Sequence, residues 1–361
     1  MPNILILGGD GIGPEIMTEA KRVLSCFQNE LSFTFIEKPI GGAAIDTHGS
    51  PFPKETEEAA LQADAVLLGA VGGAKWDGLP LAERPEKGLL AIRKTLGLYA
   101  NLRPLTIWPQ LVGFSPLRPE RLKDVSFVIV RELTGDVYFG EPRGFKEENG
   151  QRSAFNTMIY TEEEIRRIAK VAFDLARKRN KRVCSIDKSN VLESMRLWRE
   201  IVENTHREYP DIALSHLYVD NASMQIIRQP SSFDVMLTPN MFGDILSDEA
   251  AVLSGSLGLL PSASLGGQSA LYEPIHGSAP DIAGRGLANP IGMILSVAMM
   301  LDHSFHRPDL ALKIQKAVST VLDAGLRTAD FWNEGTEKVS TSQMGSAIEK
   351  EITSDIVGVR K

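Results

Sequence analysis

The sequence predicts an α/β protein built on a largely parallel sheet, and three observations predict it. Short apolar runs alternate with stretches of helical periodicity, the pattern of strands joined by crossover helices. Hydrophobic residues make up 43% of the chain and charged residues 24%, the balance of an ordinary globular protein. The 361 residues include only two cysteines, Cys26 and Cys184, each in an apolar-rich stretch, so burial rather than a disulfide framework has to hold the fold. At about 150 residues per domain, this length accommodates roughly two compact domains.

The first strand, Ile4 to Leu7, ends in glycines. A helix from Pro14 to Phe27 follows, with Ile16, Ala20, Val23, Leu24 and Phe27 at helical spacing. Phe33 to Ile36 reads as a second strand, Lys54 to Gln62 as a helix, and Ala65 to Leu68 as a buried strand running into glycines. Further strands are expected at Phe127 to Arg131, Val183 to Ile186, Leu214 to Val219 and Val235 to Leu237. Thr161 and Glu164 have capping-box spacing, and Ile165, Ile168, Ala169 and Ala172 make the apolar stripe of the helix they open. Its end carries Arg177, Lys178, Arg179, Lys181 and Arg182. Cations complement the negative end of a helix, so a solvated terminus is the preferred reading over an anion site. The last clear helix is Leu310 to Leu322, with Gly325 beyond it.

Several function classes are set aside by composition. Thirty-nine Lys and Arg face 46 Asp and Glu, a net charge of -7 that opposes a phosphate backbone, so nucleic acid is not an expected partner. The longest apolar stretch, Ile291 to Leu301, is too short to span a bilayer, and Asp10 directly after the first apolar run argues against a signal peptide. The expectation is a soluble cytoplasmic protein with no membrane partner.

The first glycine turn reads GGDGIGPE, and Glu37 ends the second strand where a Rossmann unit places a ribose-binding acid. The third glycine of that fingerprint is replaced by Pro14, which fixes φ and suits a first helical turn. A tight strand-to-helix connection is therefore expected, not a Rossmann pyrophosphate site.

Residues able to carry chemistry fall in six segments. Asp244 and Asp248 are four apart on an expected helix, where like charges repel unless a cation joins them; Mg²⁺ takes such carboxylates, with Asp220 as a third candidate. A solvated face is the alternative. Arg93 shares a helical face with Leu89 and Leu90, with Glu86 a further turn back, while Arg103 lies in an extended segment and Arg131 ends a strand. Convergent guanidinium forks would bind a carboxylate substrate with an apolar branch, though surface arginine is commoner. Lys188 follows a strand and precedes a helix whose start is marked by Asn190 and Glu193 at capping-box spacing. A lysine near a helix N-terminus can serve as a general base, although a lysine in a strand-end loop is more often simply solvated. Tyr138 offers a phenolic proton, or is simply packing. In HGSAPDIAGRGLANP, backbone N–H groups could cradle a pyrophosphate and Asp281 could accept a ribose hydroxyl; an Ω-loop is the alternative.

Together GDGIGPE, GLLAIRKTLGLYANLRP, VRELTGDVYFGEPRG, DKSNVLE, YVDNASMQ, NMFGDILSDEAA and HGSAPDIAGRGLANP resemble, in order and spacing, the metal-dependent β-decarboxylating dehydrogenases, the isocitrate and isopropylmalate dehydrogenase family. The resemblance covers essentially the whole chain. It implies an isopropylmalate-dehydrogenase-like fold of two α/β domains sharing a long mixed sheet, not a Rossmann fold. The cofactor-binding domain would be discontinuous, residues 1–99 plus 252–361, and residues 100–251 would form the substrate, metal and dimer domain. It implies Arg93, Arg103, Arg131 and Asp220 as substrate ligands, Asp220, Asp244 and Asp248 as Mg²⁺ or Mn²⁺ ligands, and Tyr138 and Lys188 as catalytic groups. It further implies a homodimer in which Lys188 and Asp220 cross to the neighbouring site.

Substrate choice is read from Glu86, Leu89 and Leu90, where isocitrate-using relatives carry a polar residue. An isopropyl group buried there could contribute about 1.5 to 3 kcal/mol, whereas a third carboxylate would be desolvated without a partner. A basic and an aromatic residue mark NADP-dependent relatives where this chain has Asp281 and Ile282, so NAD is the expected cofactor. Its expected contacts are Gly72, Gly73, Lys75 and Trp76 in one stretch. In the other they are Glu273, His276, Gly277, Ser278, Ala279, Pro280, Asp281, Ile282, Ala283, Gly284, Ala288, Asn289 and Pro290. The activity so implied is oxidative decarboxylation of 3-isopropylmalate to 4-methyl-2-oxopentanoate in leucine biosynthesis. The alternatives are a related acid (tartrate, malate or homoisocitrate) or a non-catalytic subunit of the same fold, which would be expected to lack part of this residue set.

Overall fold

The structure is a computed structural model that describes residues 1–358. Its main strands are β1 (Asn3–Gly9), β2 (Thr34–Glu37), β3 (Ala65–Ala70), β4 (Ala100–Thr106), β5 (Ser126–Glu132), β6 (Gly144–Glu148), β7 (Gln151–Phe155), β8 (Arg182–Asp187), β9 (Ala213–Tyr218), β10 (Val235–Thr238), β11 (Pro261–Leu265) and β12 (Ala270–Pro274). The helices are α1 (Gly13–Ser25), α2 (Gly41–His48), α3 (Lys54–Gln62), α4 (Glu86–Thr95), α5 (Pro119–Leu122), α6 (Glu162–Arg177), α7 (Glu193–His206), α8 (Val219–Arg228), α9 (Asn240–Ala251), α10 (Ile291–His303), α11 (Pro308–Asp323) and α12 (Thr341–Gly358). The chain divides into two compact units. The first holds residues 1–98, 108–114 and those from Ser254 onward; the second holds 99–107 and 115–253.

In the first unit the strand order is β2-β1-β3-β12-β11, parallel except for the antiparallel pair β11 and β12. Leu5, Leu7, Val66, Leu68 and Leu271 pack with Ile40, Ala60, Ile92, Leu96 and Leu98 to form a core on this sheet. Helix α10 is buried on nearly every side, which explains its unbroken apolar sequence without any membrane. No helix of the described residues is long and apolar enough to cross a bilayer.

In the second unit the order is β4-β5-β10-β8-β9, parallel except for the antiparallel pair β4 and β5. Helix α6 opens with the expected capping box, Thr161 with Glu164, and buries Ile165, Ile168, Ala169, Ala172 and Phe173. Three of the five cations at its end pair with carboxylates: Arg179 Nε donates to Asp234 at 2.9 Å, and Arg177 and Lys181 pair with Asp211. A mixed α/β fold is thus what the sequence predicts and what forms. Cys26 is half-buried and Cys184 buried; both are free thiols, and burial pushes each up to about 11.

The glycine turn after β1 is a tight connection, as Pro14 predicts. A Cβ on Gly11, which has φ of +56°, would lie 2.0 Å from the carbonyl oxygen of Ser278. That carbonyl accepts the Ile12 N–H at 2.8 Å, so the turn spends this amide on the protein itself. Glu37 is bound by the ammonium of Lys21.

One expectation is corrected. Asn190 and Glu193 do not form a capping box: α7 starts at Glu193 with Leu192 as its N-cap and no side-chain cap. Asp187 accepts the Ser189 N–H at 2.9 Å, and the Lys188 carbonyl accepts from Val191 and Leu192. A separate turn therefore stands between Lys188 and the helix.

Candidate active site

Helix α9 carries the pair of carboxylates that the sequence singles out, and it lies close against β5 because of Gly243. A Cβ there would stand 2.2 Å from Thr238 Oγ1 and 2.8 Å from Arg131 Cγ. Arg131, buried at the end of β5, reaches the first turns of α9. Its Nε and Nη2 donate to Asn240 Oδ1 at 3.0 and 2.8 Å, and its Nη1 binds Asp244 Oδ1. Arg103, on β4, pairs with Asp244 at 3.5 Å and Asp248 at 3.6 Å and is aimed by Asn101 and Ser247, which accept at 2.7 and 2.6 Å. Two of the three expected arginines thus meet the expected carboxylate pair, Arg103 at both members and Arg131 at Asp244.

Tyr138 joins them. Its hydroxyl donates to Asp244 Oδ2 at 3.1 Å, and the Arg131 guanidinium stands 5.9 Å from its ring. Burial, foremost, and the Asp244 charge push the phenol up, against the pull of Arg131. The Asp248 carboxyl is also raised, chiefly by desolvation; Arg103 and Arg131 lower it and Asp244 raises it. Repulsion between two carboxylates of one helix face is the situation a hard divalent cation relieves, so the all-oxygen donors Asp244 and Asp248 fit Mg²⁺ or Mn²⁺.

Lys188 and Asp220 form a separate pair. The Lys188 ammonium binds Asp220, in the first turn of α8, and lies 5.8 Å from the Tyr218 ring. The hydrogen bond from Lys188 holds the Asp220 carboxyl below the usual carboxylate range. Among the described residues, no three His, Cys, Asp or Glu side chains gather to hold a metal. One chain brings Asp244 and Asp248 together, but not Asp220 with them.

The first unit carries the remaining candidates. On α4, Arg93 Nη2 donates to Glu273 at 2.7 Å between two largely buried side chains. Leu89 packs partly against the core of β1 and β3, and Leu90 is half-buried. Glu86 lies where a Cβ on Gly72 would meet its Oε1 at 2.9 Å.

The two stretches expected to touch a cofactor both converge on the Asp10 turn. Asp10 accepts N–H groups from Gly72 at 2.8 Å, Gly42 at 2.8 Å and Ala43 at 2.7 Å, while the next residues hold Ser278. Burial raises the Asp10 carboxyl and these three donors oppose it. Gly73 and Lys75 lead into Trp76, whose ring covers Gly42 and whose Nε1 donates to Asp46 at 3.2 Å. In the second stretch His276 Nε2 is buried with no partner among the described residues, and burial lowers its pKa, favouring neutral imidazole. Open space surrounds Gly277 and Gly284, where no atom lies within 4 Å of an added Cβ. An unpaired buried nitrogen beside accessible backbone fits a polar cofactor.

Fold and site together define a dehydrogenase: the chain belongs to the isocitrate/isopropylmalate dehydrogenase family, whose model matches residues 3–348. The similar curated proteins include the 3-isopropylmalate dehydrogenase of Pseudomonas putida, 59% identical over 96% of this chain and 97% of that one. The enzyme of the same name from Hydrogenovibrio crunogenus is 57% identical over 96% and 98%. Among solved structures, an isocitrate dehydrogenase from Methylococcus capsulatus superposes with a TM-score of 0.87 at 35% identity, covering 98% of this chain and 100% of that one.

Residues of this site that lie outside the sequence-based candidates include Asn101 and Ser247, which aim Arg103, and Asn240, Asp136 and Tyr160. All are buried, and all but Tyr160 lie within the motif segments, but the contacts that Asn240, Asp136 and Tyr160 make at the start of α9 join residues 80 to 109 apart, and no local spacing announces them.

Proposed function

We propose that this oxidoreductase catalyses the NAD-dependent oxidative decarboxylation of 3-isopropylmalate to 4-methyl-2-oxopentanoate, a step of leucine biosynthesis. The observation that carries the reading is the cluster of Arg103, Arg131, Tyr138, Asp244 and Asp248 in a chain whose near full-length relatives bear the name of that enzyme.

Arg93, Arg103 and Arg131 bind the substrate carboxylates, their guanidinium forks matching carboxylate geometry. Leu89 and Leu90 favour the isopropyl branch over a third carboxylate. Lys188 takes the proton of the substrate hydroxyl, and Tyr138 delivers a proton to the carbon that has lost CO₂. When bound, NAD accepts the hydride and the divalent cation stabilises the negative charge that develops as CO₂ leaves. Asp244 and Asp248 would hold the cation with Asp220 of a second copy. Asp10, through Gly72, and the stretch from His276 to Pro290 would hold NAD, with Asp281 on a ribose hydroxyl.

The active form in this reading is a homodimer in the cytoplasm. Lys188 and Asp220 bind each other rather than Tyr138 or Asp244 within one chain, and Met224, Ile227 and Ile245 on the packed helices α8 and α9 are exposed in it.

The test is NAD reduction by purified protein with 3-isopropylmalate, isocitrate, malate and tartrate, each with Mg²⁺ or chelator. Metal-dependent turnover of 3-isopropylmalate well above the other acids is expected. Preference for another acid overturns the role given to Leu89 and Leu90, and chelator-insensitive turnover overturns the metal.

A further inference from the structure

We propose that Asn240 is a positioning residue that aims Arg131 at the substrate carboxylate, and that Asp136 and Tyr160 latch it in place. The inference rests on the substrate-binding role proposed for Arg131.

Helix α9 begins after Pro239, which supplies no side-chain cap. Its first amides are met instead from distant chain. Asn240 N donates to Tyr160 Oη at 2.8 Å, Met241 N donates to Asp136 Oδ2 at 3.0 Å, and Tyr160 Oη donates to the same oxygen at 3.3 Å. A carboxylate facing the positive end of the helix is favourable there. Asp136 adopts φ of +74°, which Asp tolerates better than most residues, and is fully buried.

This latch leaves the Asn240 side chain one sensible orientation. Its Nδ2 donates to the Gly135 carbonyl at 3.2 Å, which turns Oδ1 toward Arg131; the flipped amide would set N–H groups against a guanidinium and oxygen against oxygen. Oδ1 then accepts from both Nε and Nη2, which turns the Nη1 corner toward Asp244. The segment that supplies Gly135 and Asp136 also carries Tyr138, whose hydroxyl meets Asp244. One buried polar cluster therefore fixes the arginine and the phenol with respect to the same carboxylate.

The test is a double-mutant cycle. Asn240→Leu should raise the KM for 3-isopropylmalate by about 10- to 100-fold, the worth of hydrogen bonds to a charged group, with the KM for NAD nearly unchanged. In an Arg131→Lys background, which lacks the fork, the same substitution should add little. An equal penalty in both backgrounds, or a KM for the acid that does not move, overturns the proposal. A second arm needs no substrate and no core truncation. The Arg131 Nε–H, assigned by its loss in Arg131→Lys, should exchange slowly with solvent in the wild-type protein and faster in Tyr160→Phe. Exchange in the wild type as fast as that of exposed arginines, or unchanged exchange in Tyr160→Phe, overturns it. If wild-type protein does not turn over 3-isopropylmalate, the functional reading falls, and the aiming of Arg131 is decided by this second arm alone.

Discussion

At Tyr138 a phenol stands between opposite charges, the Asp244 carboxylate that accepts its hydrogen bond and the Arg131 guanidinium beside its ring. Burial and Asp244 raise its pKa above the ordinary 10.0, so the hydroxyl keeps its proton throughout the neutral and moderately alkaline range. The sign follows: an acid whose pKa is raised donates until the pH exceeds that raised value, so Tyr138 should not set an alkaline limb below pH 10. Tyr138→Phe keeps the ring and removes only the hydroxyl. It should lower kcat by about 100-fold, the low end of what a positioned proton donor contributes, with KM for the acid little changed. Steady-state kinetics decide this, and turnover near wild type would remove Tyr138 from the proton step. Lys188→Ala should abolish turnover and be partly restored by added primary amines; full activity without amine would end its assignment as the base.

Two helices, α2 and α9, each start on an aspartate borrowed from a remote glycine turn, Asp10 for one and Asp136 for the other. Ordinary capping signals sit next to the helix they start, as Thr161 and Glu164 do for α6, and such signals are legible in sequence. Borrowed caps are not. Helix α2 has two leading glycines and little apolar periodicity, so it goes unrecognised, and α10 reads only as an apolar stretch because it is buried all round. The strands and α1, α3, α6 and α11 follow from their periodic faces, and the aspartate pair on α9 from its spacing of four. What spacing could not supply is the tertiary set of Asn240, Asp136 and Tyr160, or the false capping box at Asn190, where Asp187 wins the local backbone donor. The α2 element makes its own prediction. A Cβ at Gly42 would lie 2.2 Å from the Trp76 ring, so Gly42→Ala must unseat the segment from Gly72 to Trp76. Overpacking of this kind costs about 1–3 kcal/mol. Thermal unfolding should show the loss and the KM for NAD should rise, while the KM for 3-isopropylmalate changes little. Equal rises in both would mean that the segment does not serve the cofactor in particular.

At the scale of the whole molecule, two polar pairs decide how many copies make a site. Within one chain Lys188 holds Asp220, while Tyr138 holds Asp244, and no group of three metal-capable side chains forms among the described residues. If the pairs complete one another between copies related by a twofold axis, each site takes Tyr138 and Asp244 from one chain and Lys188 from the other. Two inactive proteins should then rescue each other. A dimer of one Lys188→Ala chain and one Tyr138→Phe chain has one site with both defects and one with neither. Equal amounts, dissociated and reassembled together, give half mixed dimers, so about a quarter of all sites should be intact. Had Lys188 served its own chain, every site in the mixed dimer would carry one defect and no activity would return. Recovery of about a quarter of wild-type specific activity after joint reassembly, and no more than about 1% after separate reassembly, is the expected result. Joint reassembly without recovery would place both groups in one chain's site and remove the exchange of Lys188 between copies.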